Sequence, residues 1–96
     1  MRYVLLYESA PDALTKVPEH FPAHSAWADE FHDRGDLLLI GAFANPQEQG
    51  SMAIFTSREA AEASVAGDPF VRNGVVSGHE IREWQEVYSS AAGKAA

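Results

Sequence analysis

The segment Leu37 to Phe43, LLLIGAF, contains no polar side chain. Successive side chains of a β-strand point to opposite faces of its sheet, so this strand is predicted to be buried on both sides. The whole chain has 96 residues, which is enough for one domain with one core. A fold for this chain must therefore cover two faces of a sheet with few other elements.

Prolines, glycines and the spacing of apolar residues predict the remaining elements. Gly35 and Gly67 are placed to end two helices, and Ser57 is placed to cap the second of them. The predicted elements are a strand from Arg2 to Tyr7, a proline-rich loop from Glu8 to Pro22, a helix from Ala23 to Arg34, the strand from Leu37 to Phe43, a turn-rich connection, a strand from Met52 to Thr56, a helix from Arg58 to Ala66, and a strand from Val75 to Trp84.

This order of elements, β-α-β-β-α-β, is that of the α+β ferredoxin-like fold. Its two helices can cover only one face of a four-stranded sheet. A second copy of the chain is the simplest cover for the other face. We therefore expect residues 1–88 to form one domain that makes a homodimer through the sheet face, and residues 89–96, SSAAGKAA, to be a flexible tail.

His24 lies in the middle of the apolar face of the first predicted helix. At about 100° per residue, Phe31 falls within about 20° of it and Trp27 within about 60°, whereas Asp29 points away. An imidazole on such a face needs a hydrogen-bonding partner or a cavity beside it. One interpretation is a core histidine bonded to a backbone carbonyl, and another is a functional group beside a pocket.

The spacing of His20 and His24 also matches that of two metal ligands on adjacent turns of a helix. The glutamate that follows the first histidine in metalloprotease motifs is absent, and Pro22 interrupts the turn. We expect no metal, although the pairing of His20 with His24 stays an alternative. His32 and His79 have no such context and are expected to face solvent.

Asp68 precedes Pro69, and this pair is typical of a helix start, with aspartate as the cap and proline at the first helical position. Asp68 is therefore either a turn-former alone or a turn-former whose carboxylate also has a chemical partner. Gly74 and Gly41 are expected to be required by the backbone, Gly74 because it permits a tight turn into the last strand.

Three segments carry a resemblance to a known family. The segments AHSAWADEFHDRGDLLLIGAF and GDPFVRNGVV, followed by IREW, resemble the YCII-related (YciI-like) family, which has a helix histidine, a glycine-containing strand and a D-P-F-V-x-x-G segment. The resemblance covers Tyr3 to about Trp84. It implies a ferredoxin-like fold of the dimeric α/β-barrel type, with a pocket in which His24 and Asp68 approach one another. One branch of the family resembles dehydrochlorinases of chlorinated hydroxyquinols, and the wider fold group includes muconolactone isomerases and monooxygenases.

Two functions are compatible with these features. The first is a small cofactor-independent isomerase or lyase, in which His24 moves a proton and Asp68 orients it, acting on a small aromatic or lactone-like metabolite. The expected pocket walls are Phe70, Trp27, Phe43 and Tyr7. The second is a non-catalytic dimeric module that binds a small molecule or a partner protein. In the enzyme His24 should be accessible from a pocket, and in the module it should be sealed in.

The composition argues against several other classes of protein. The formal net charge of -7 makes nucleic acid an unfavourable partner, because phosphate binding depends on lysine and arginine. There is no cysteine for a disulfide or a thiolate metal site, and no glycine-rich phosphate loop for a nucleotide cofactor. No apolar run approaches the roughly 20 residues that cross a membrane. We expect a cytoplasmic protein without a cofactor or a membrane partner.

Overall fold

A computed structural model describes residues 1–88 of the chain. The predicted tail at residues 89–96 lies outside the described residues. The helices and strands, in chain order, are β1 (Arg2–Ser9), α1 (Ala13–Asp33), β2 (Leu37–Ala42), α2 (Pro46–Gln49), β3 (Ser51–Phe55), α3 (Arg58–Gly67), α4 (Pro69–Arg72) and β4 (Val76–Trp84).

The four strands form one antiparallel sheet in the order β2-β3-β1-β4. In this register Leu5 of β1 lies between Ala53 of β3 and Ile81 of β4. Two strands that are distant in sequence, β1 and β3, are neighbours at the centre. This topology confirms the predicted ferredoxin-like fold, to which the structure adds two single-turn helices, α2 and α4.

The predicted loop from Glu8 to Pro22 is wrong. Strand β1 continues to Ser9, and α1 begins at Ala13 and contains both Pro18 and Pro22. Each proline removes one helical hydrogen bond, to the carbonyl four residues earlier. Pro18 and Pro22 are both exposed, so water can satisfy the freed carbonyls and the helix continues. Within residues 1–88, no helix has the combined length and apolar character needed to cross a membrane.

The predicted helix ends at Gly35 and Ser57 are confirmed, whereas Gly67 is the last helical residue of α3 and Asp68 is the C-cap. After α1, Gly35 has a φ of 82°, and its N–H donates to the carbonyl of His32 at 2.9 Å. This left-handed geometry strongly favours glycine. The hydroxyl oxygen of Ser57 accepts a hydrogen bond from the N–H of Ala60 at 3.1 Å and caps α3. Gly35 therefore sets where α1 ends before β2, and Ser57 sets where α3 begins after β3.

The core lies between the sheet and the helices α1 and α3. Phe31 of α1 and Phe55 of β3 are its largest buried side chains, and their rings meet edge to face with centroids 6.0 Å apart. Leu5 and Val65 complete the contact between β1 and α3 in the same cluster. Only one face of the sheet is covered by helices, as the order of elements predicts.

Strand β2 lies at an edge of the sheet, and in the single chain it is exposed after Leu37. The predicted burial of this strand on both sides is therefore not met within one chain. Leu39 is 64% exposed. Strand alternation and register place apolar residues on the face opposite the core: Val4, Leu6 and Leu39 are partly or largely exposed there, whereas Ile54 is only 5% exposed.

The two glycine predictions have different outcomes. Gly74 has a φ of 72° just before β4, a conformation that residues with a side chain rarely adopt, so its predicted backbone role is confirmed. Gly41 has no positive φ, and a Cβ added there would have no neighbour within 4 Å. The prediction for Gly41 is wrong within the single chain, since nothing in its surroundings requires the absence of a side chain.

Candidate functional site

A cavity of about 340 Å³ lies between α1 and the sheet and reaches the start of α4. One wall is formed by α1, which contributes His24 and Trp27. The floor is formed by β1, β2 and β3, and Asp68 and Phe70 close the end. The cavity therefore brings together residues from both halves of the chain.

Asp68 is placed by the junction between α3 and α4. Helix α3 ends at Gly67, Pro69 is the first residue of α4, and the Asp68 Oδ1 accepts a hydrogen bond from the N–H of Phe70 at 2.9 Å. The predicted capping role of Asp68 is confirmed. The residue is only 2% exposed, so its carboxylate is held inside the protein by the local sequence that forms the turn.

The same carboxylate contacts His24. The His24 Nδ1 lies 2.7 Å from Asp68 Oδ1, a short distance typical of a charge-assisted hydrogen bond. The inward direction that the helical wheel predicts for His24 brings the imidazole to the carboxylate. Of the two interpretations of Asp68, the structure supports the one in which its carboxylate has a second partner besides the helix cap.

Tyr7 is the third donor to Asp68. Its hydroxyl donates to Asp68 Oδ2 at 2.8 Å. Tyr7 lies in the pocket wall, as predicted, but its hydrogen bond to Asp68 was not predicted from the sequence. The available signal was strand alternation, which puts Tyr7 on the same face of β1 as the core residue Leu5. Burial raises the pKa of Tyr7 well above its ordinary value, and the charge of Asp68 and its hydrogen bond raise it further.

The contact with Asp68 sets which nitrogen of His24 donates a hydrogen bond. A carboxylate accepts hydrogen bonds, so in the neutral imidazole Nδ1 donates to Asp68 and Nε2 is the nitrogen without a proton. Among the described residues, none is hydrogen-bonded to Nε2. The His24 side chain is 14% exposed and lines the cavity. The imidazole is thus arranged as a base or hydrogen-bond acceptor toward whatever occupies the cavity.

Phe70 supports the imidazole from one side. The rings of His24 and Phe70 are parallel within 4°, with centroids 3.8 Å apart. Such stacking restricts rotation of the imidazole. Phe21, which is not among the predicted site residues, also lines the cavity. The ring centroids of Phe21 and Phe70 are 6.5 Å apart. The single signal for Phe21 in the sequence was a position on the same helix face as His24.

Trp27 forms a wall of the cavity, as predicted. Its indole N–H donates to the carbonyl of Ser64 at 3.1 Å, and its ring occupies the place that a Cβ on Gly67 would need. Trp27 thereby attaches α1 to the end of α3, just before Asp68. Phe43 is not brought to the site: it follows β2, is 38% exposed and does not line the cavity. The predicted end of this strand at Phe43 is one residue too far, since β2 ends at Ala42.

His20 lies one helical turn before His24 on α1, so the spacing of the alternative metal pair is present in the helix. The His20 Nε2 lies 3.5 Å from the carboxylate of Glu19. No group of three potential metal-ligating side chains occurs in the part of the chain that the structure describes. His32 and His79 are exposed, as predicted.

Comparison with known proteins gives a consistent result. The model of the YCII-related domain matches residues 1–85. Protein YciI of Escherichia coli O6:H1 is 31% identical over 98 residues, covering 92% of this chain and 100% of that protein. The same values hold for Protein YciI of Shigella flexneri, with 31% identity over 98 residues, 92% of this chain and 100% of that protein.

Two solved structures share the fold. A 5-chloro-2-hydroxyhydroquinone dehydrochlorinase from Burkholderia phenoliruptrix AC1100, in complex with 2,5-dihydroxybenzoquinone, has a TM-score of 0.72 and 17% identity, covering 95% of this chain and 98% of that chain. An antibiotic biosynthesis monooxygenase has a TM-score of 0.52 and 13% identity, covering 90% of this chain and 97% of that chain. These likenesses confirm the predicted fold class, the α+β fold of the dimeric α/β-barrel type.

The raised pKa of Tyr7 predicts a loss of stability in alkali. The unfolded chain ionises Tyr7 near its ordinary pKa of 10.0, whereas the folded protein retains the proton to higher pH. The folded state then binds more protons, so the free energy of unfolding falls as pH rises above about 10, by up to ~1.4 kcal/mol per pH unit. Below that pH the contribution is fully present. Urea unfolding at a series of pH values measures this slope.

Tyr7→Phe should remove the part of this fall in the free energy of unfolding that comes from Tyr7. At neutral pH it should lower the free energy of unfolding by about 1–3 kcal/mol, because Asp68 Oδ2 loses its donor. Tyr3→Phe is the matched control, since it removes another tyrosine hydroxyl from the same strand, and it should keep the slope of the parent protein. If the free energy of unfolding falls equally with pH in Tyr7→Phe and in the parent, the assignment of this fall to Tyr7 is contradicted.

Proposed function

The chain belongs to the YCII-related family, and we propose that it is a small enzyme that needs no cofactor and transfers protons through His24. The observation that carries this proposal is the 2.7 Å contact between Asp68 and Nδ1 of His24, a histidine that lines a cavity. A histidine with one nitrogen held by a buried carboxylate and the other free is the arrangement used for general acid–base catalysis.

The reaction would proceed in two proton transfers. A ligand in the cavity gives an acidic hydrogen from carbon or oxygen to the lone pair of Nε2, and the electron pair of the broken bond stays on the ligand. Asp68 stabilises the imidazolium that forms. Nε2 then returns the proton to another atom of the ligand, which gives an isomer, or to a leaving group, which gives elimination.

The walls of the cavity support a small ring-shaped substrate. Trp27, Phe21 and Phe70 present aromatic rings, which pack against flat ligands. The dehydrochlorinase that shares the fold is described in complex with a dihydroxybenzoquinone, and this supports a ring as the substrate class. The alternative, a non-catalytic module, predicts a His24 that is sealed in and only stabilises the pocket. The position of His24 in the cavity wall favours the enzyme.

This proposal can be tested with a panel of hydroxylated aromatics and lactones. Thermal shift finds the members that bind, because any ligand of the folded state raises its stability. Each binder is then incubated with the protein in deuterated water, and NMR follows deuterium entering carbon positions and the appearance of product. We expect His24→Gln to abolish the exchange, and Asp68→Asn to slow it by about 10²–10⁴-fold, since an amide caps the helix but cannot stabilise an imidazolium.

His32→Gln is the matched control, because it replaces an exposed histidine on the same helix and should leave the rate unchanged. Exchange that persists in His24→Gln would contradict the assigned role of His24. Binders that show neither exchange nor product in the parent protein would indicate the binding module instead.

We also propose that the protein is a homodimer that buries the sheet face opposite the core. In one chain this face carries Val4, Leu6 and Leu39, which are partly or largely exposed, and the helices lie on the other side. An edge strand with exposed leucines favours association, since a second sheet stacked on this face would remove apolar surface from water. A second copy of the chain supplies such a sheet.

Sedimentation at micromolar concentration should give about twice the chain mass of 10.4 kDa. Leu39→Glu should shift the protein to a monomer, because it places a charge within the proposed interface. Leu14→Glu is the control: Leu14 is an exposed leucine on α1, and this variant should remain a dimer. A parent protein that sediments as a monomer would rule out the interface.

A further inference from the structure

The charge of the cavity restricts what it can bind. We propose that it selects uncharged single-ring ligands that carry a hydroxyl hydrogen, and that Asp68 and Asp29 exclude ligands with a carboxylate or phosphate group. This inference rests on the proposed function, because it names the substrate class of the same site.

The first observation is the balance of charged groups in the wall. Asp29 and Asp68 both line the cavity, and among its described lining residues there is no lysine or arginine. Arg34 stacks on the ring of the wall residue Phe31 at 4.2 Å, but it pairs with Asp36 at 3.3 Å. With His24 in its basic form, an anionic ligand would therefore meet two carboxylates and no lysine or arginine of the wall.

The second observation concerns how Asp68 is stabilised. Its three donors are the hydroxyl of Tyr7, the backbone N–H of Phe70 and the Nδ1 of His24. With His24 in its basic form, all three donors are neutral groups. They satisfy the oxygens of the carboxylate but do not cancel its charge. Since Asp68 is buried, its field is weakly screened and repels a second negative charge in the cavity.

The third observation is the size and polarity of the space. A volume of about 340 Å³ is at the small end of the range for ligand pockets, so it suits a single substituted ring. The free lone pair of Nε2 on His24 needs a donor from the ligand, because His24 donates only from Nδ1. A phenol or enol hydroxyl supplies that donor without a charge.

Asp29 is the specificity-determining residue that can be changed without disturbing the hydrogen bonds of Asp68. It is exposed, and it lies on α1 a little more than one turn beyond His24. The helical wheel alone directs Asp29 to solvent, and only the structure places it in the wall of the cavity. Its negative charge would repel an anionic ligand electrostatically and would leave the binding of a neutral ligand unchanged.

A matched pair of ligands tests the inference. 4-Methylphenol and benzoate have similar sizes, but at about pH 8 the phenol is neutral and the benzoate is an anion. Calorimetry at low ionic strength measures both dissociation constants, and NMR shifts of His24 and of the Phe70 amide locate the binding. We expect 4-methylphenol to bind at least about tenfold more tightly than benzoate.

Asp29→Asn should strengthen benzoate binding by about threefold at low salt and leave 4-methylphenol unchanged. Asp33→Asn is the control, since it removes the same charge from the same helix at a position that does not line the cavity. Benzoate binding as tightly as 4-methylphenol, equal effects of the two variants, or no shift of His24 and Phe70 with either ligand would each overturn the inference. Selective binding without proton exchange would instead contradict the proposed catalysis alone.

Discussion

The buried carboxylate of Asp68 is the interaction on which the rest of the site depends. It joins three parts of the chain that are distant in sequence, since Tyr7 comes from β1, His24 from α1 and the capped N–H from Phe70 in α4. A carboxylate that is 2% exposed is stable only if its oxygens are satisfied. No buried side-chain oxygen or nitrogen within residues 1–88 is left without a partner. The same three hydrogen bonds stabilise the fold and orient the imidazole.

Strand β2 connects the site to the proposed interface. Ile40 and Gly41 line the cavity, and Leu39 lies on the outer face of the same strand. This double position explains why LLLIGAF is apolar throughout, with one set of side chains facing the cavity and another available to a partner. In a chain whose two long helices cover one face of the sheet, this strand lies between the cavity and the proposed interface.

Local patterns in the sequence predict part of this arrangement. The cap at Asp68 follows from Asp-Pro chemistry, the direction of His24 follows from helix periodicity, and both are found in the structure. The hydrogen bond of Tyr7 depends on which strand lies beside Asp68 in the folded protein. No local pattern gives the distance between these two residues. The prolines of α1 were misleading because their effect depends on solvent exposure, which only the tertiary structure determines. Phe43 and Gly41 were misassigned for the same reason, since their surroundings come from neighbouring strands.

The central claim is that His24 is held with its proton on Nδ1 and its lone pair on Nε2. A two-dimensional ¹H–¹⁵N correlation of the histidine rings measures this directly, and the spectrum of His24→Gln identifies which of the 4 histidines is His24. At about pH 8 we expect Nδ1 to resonate as a protonated nitrogen and Nε2 as an unprotonated one. A spectrum in which Nε2 carries the proton, or in which the two tautomers are equally populated, would contradict the account.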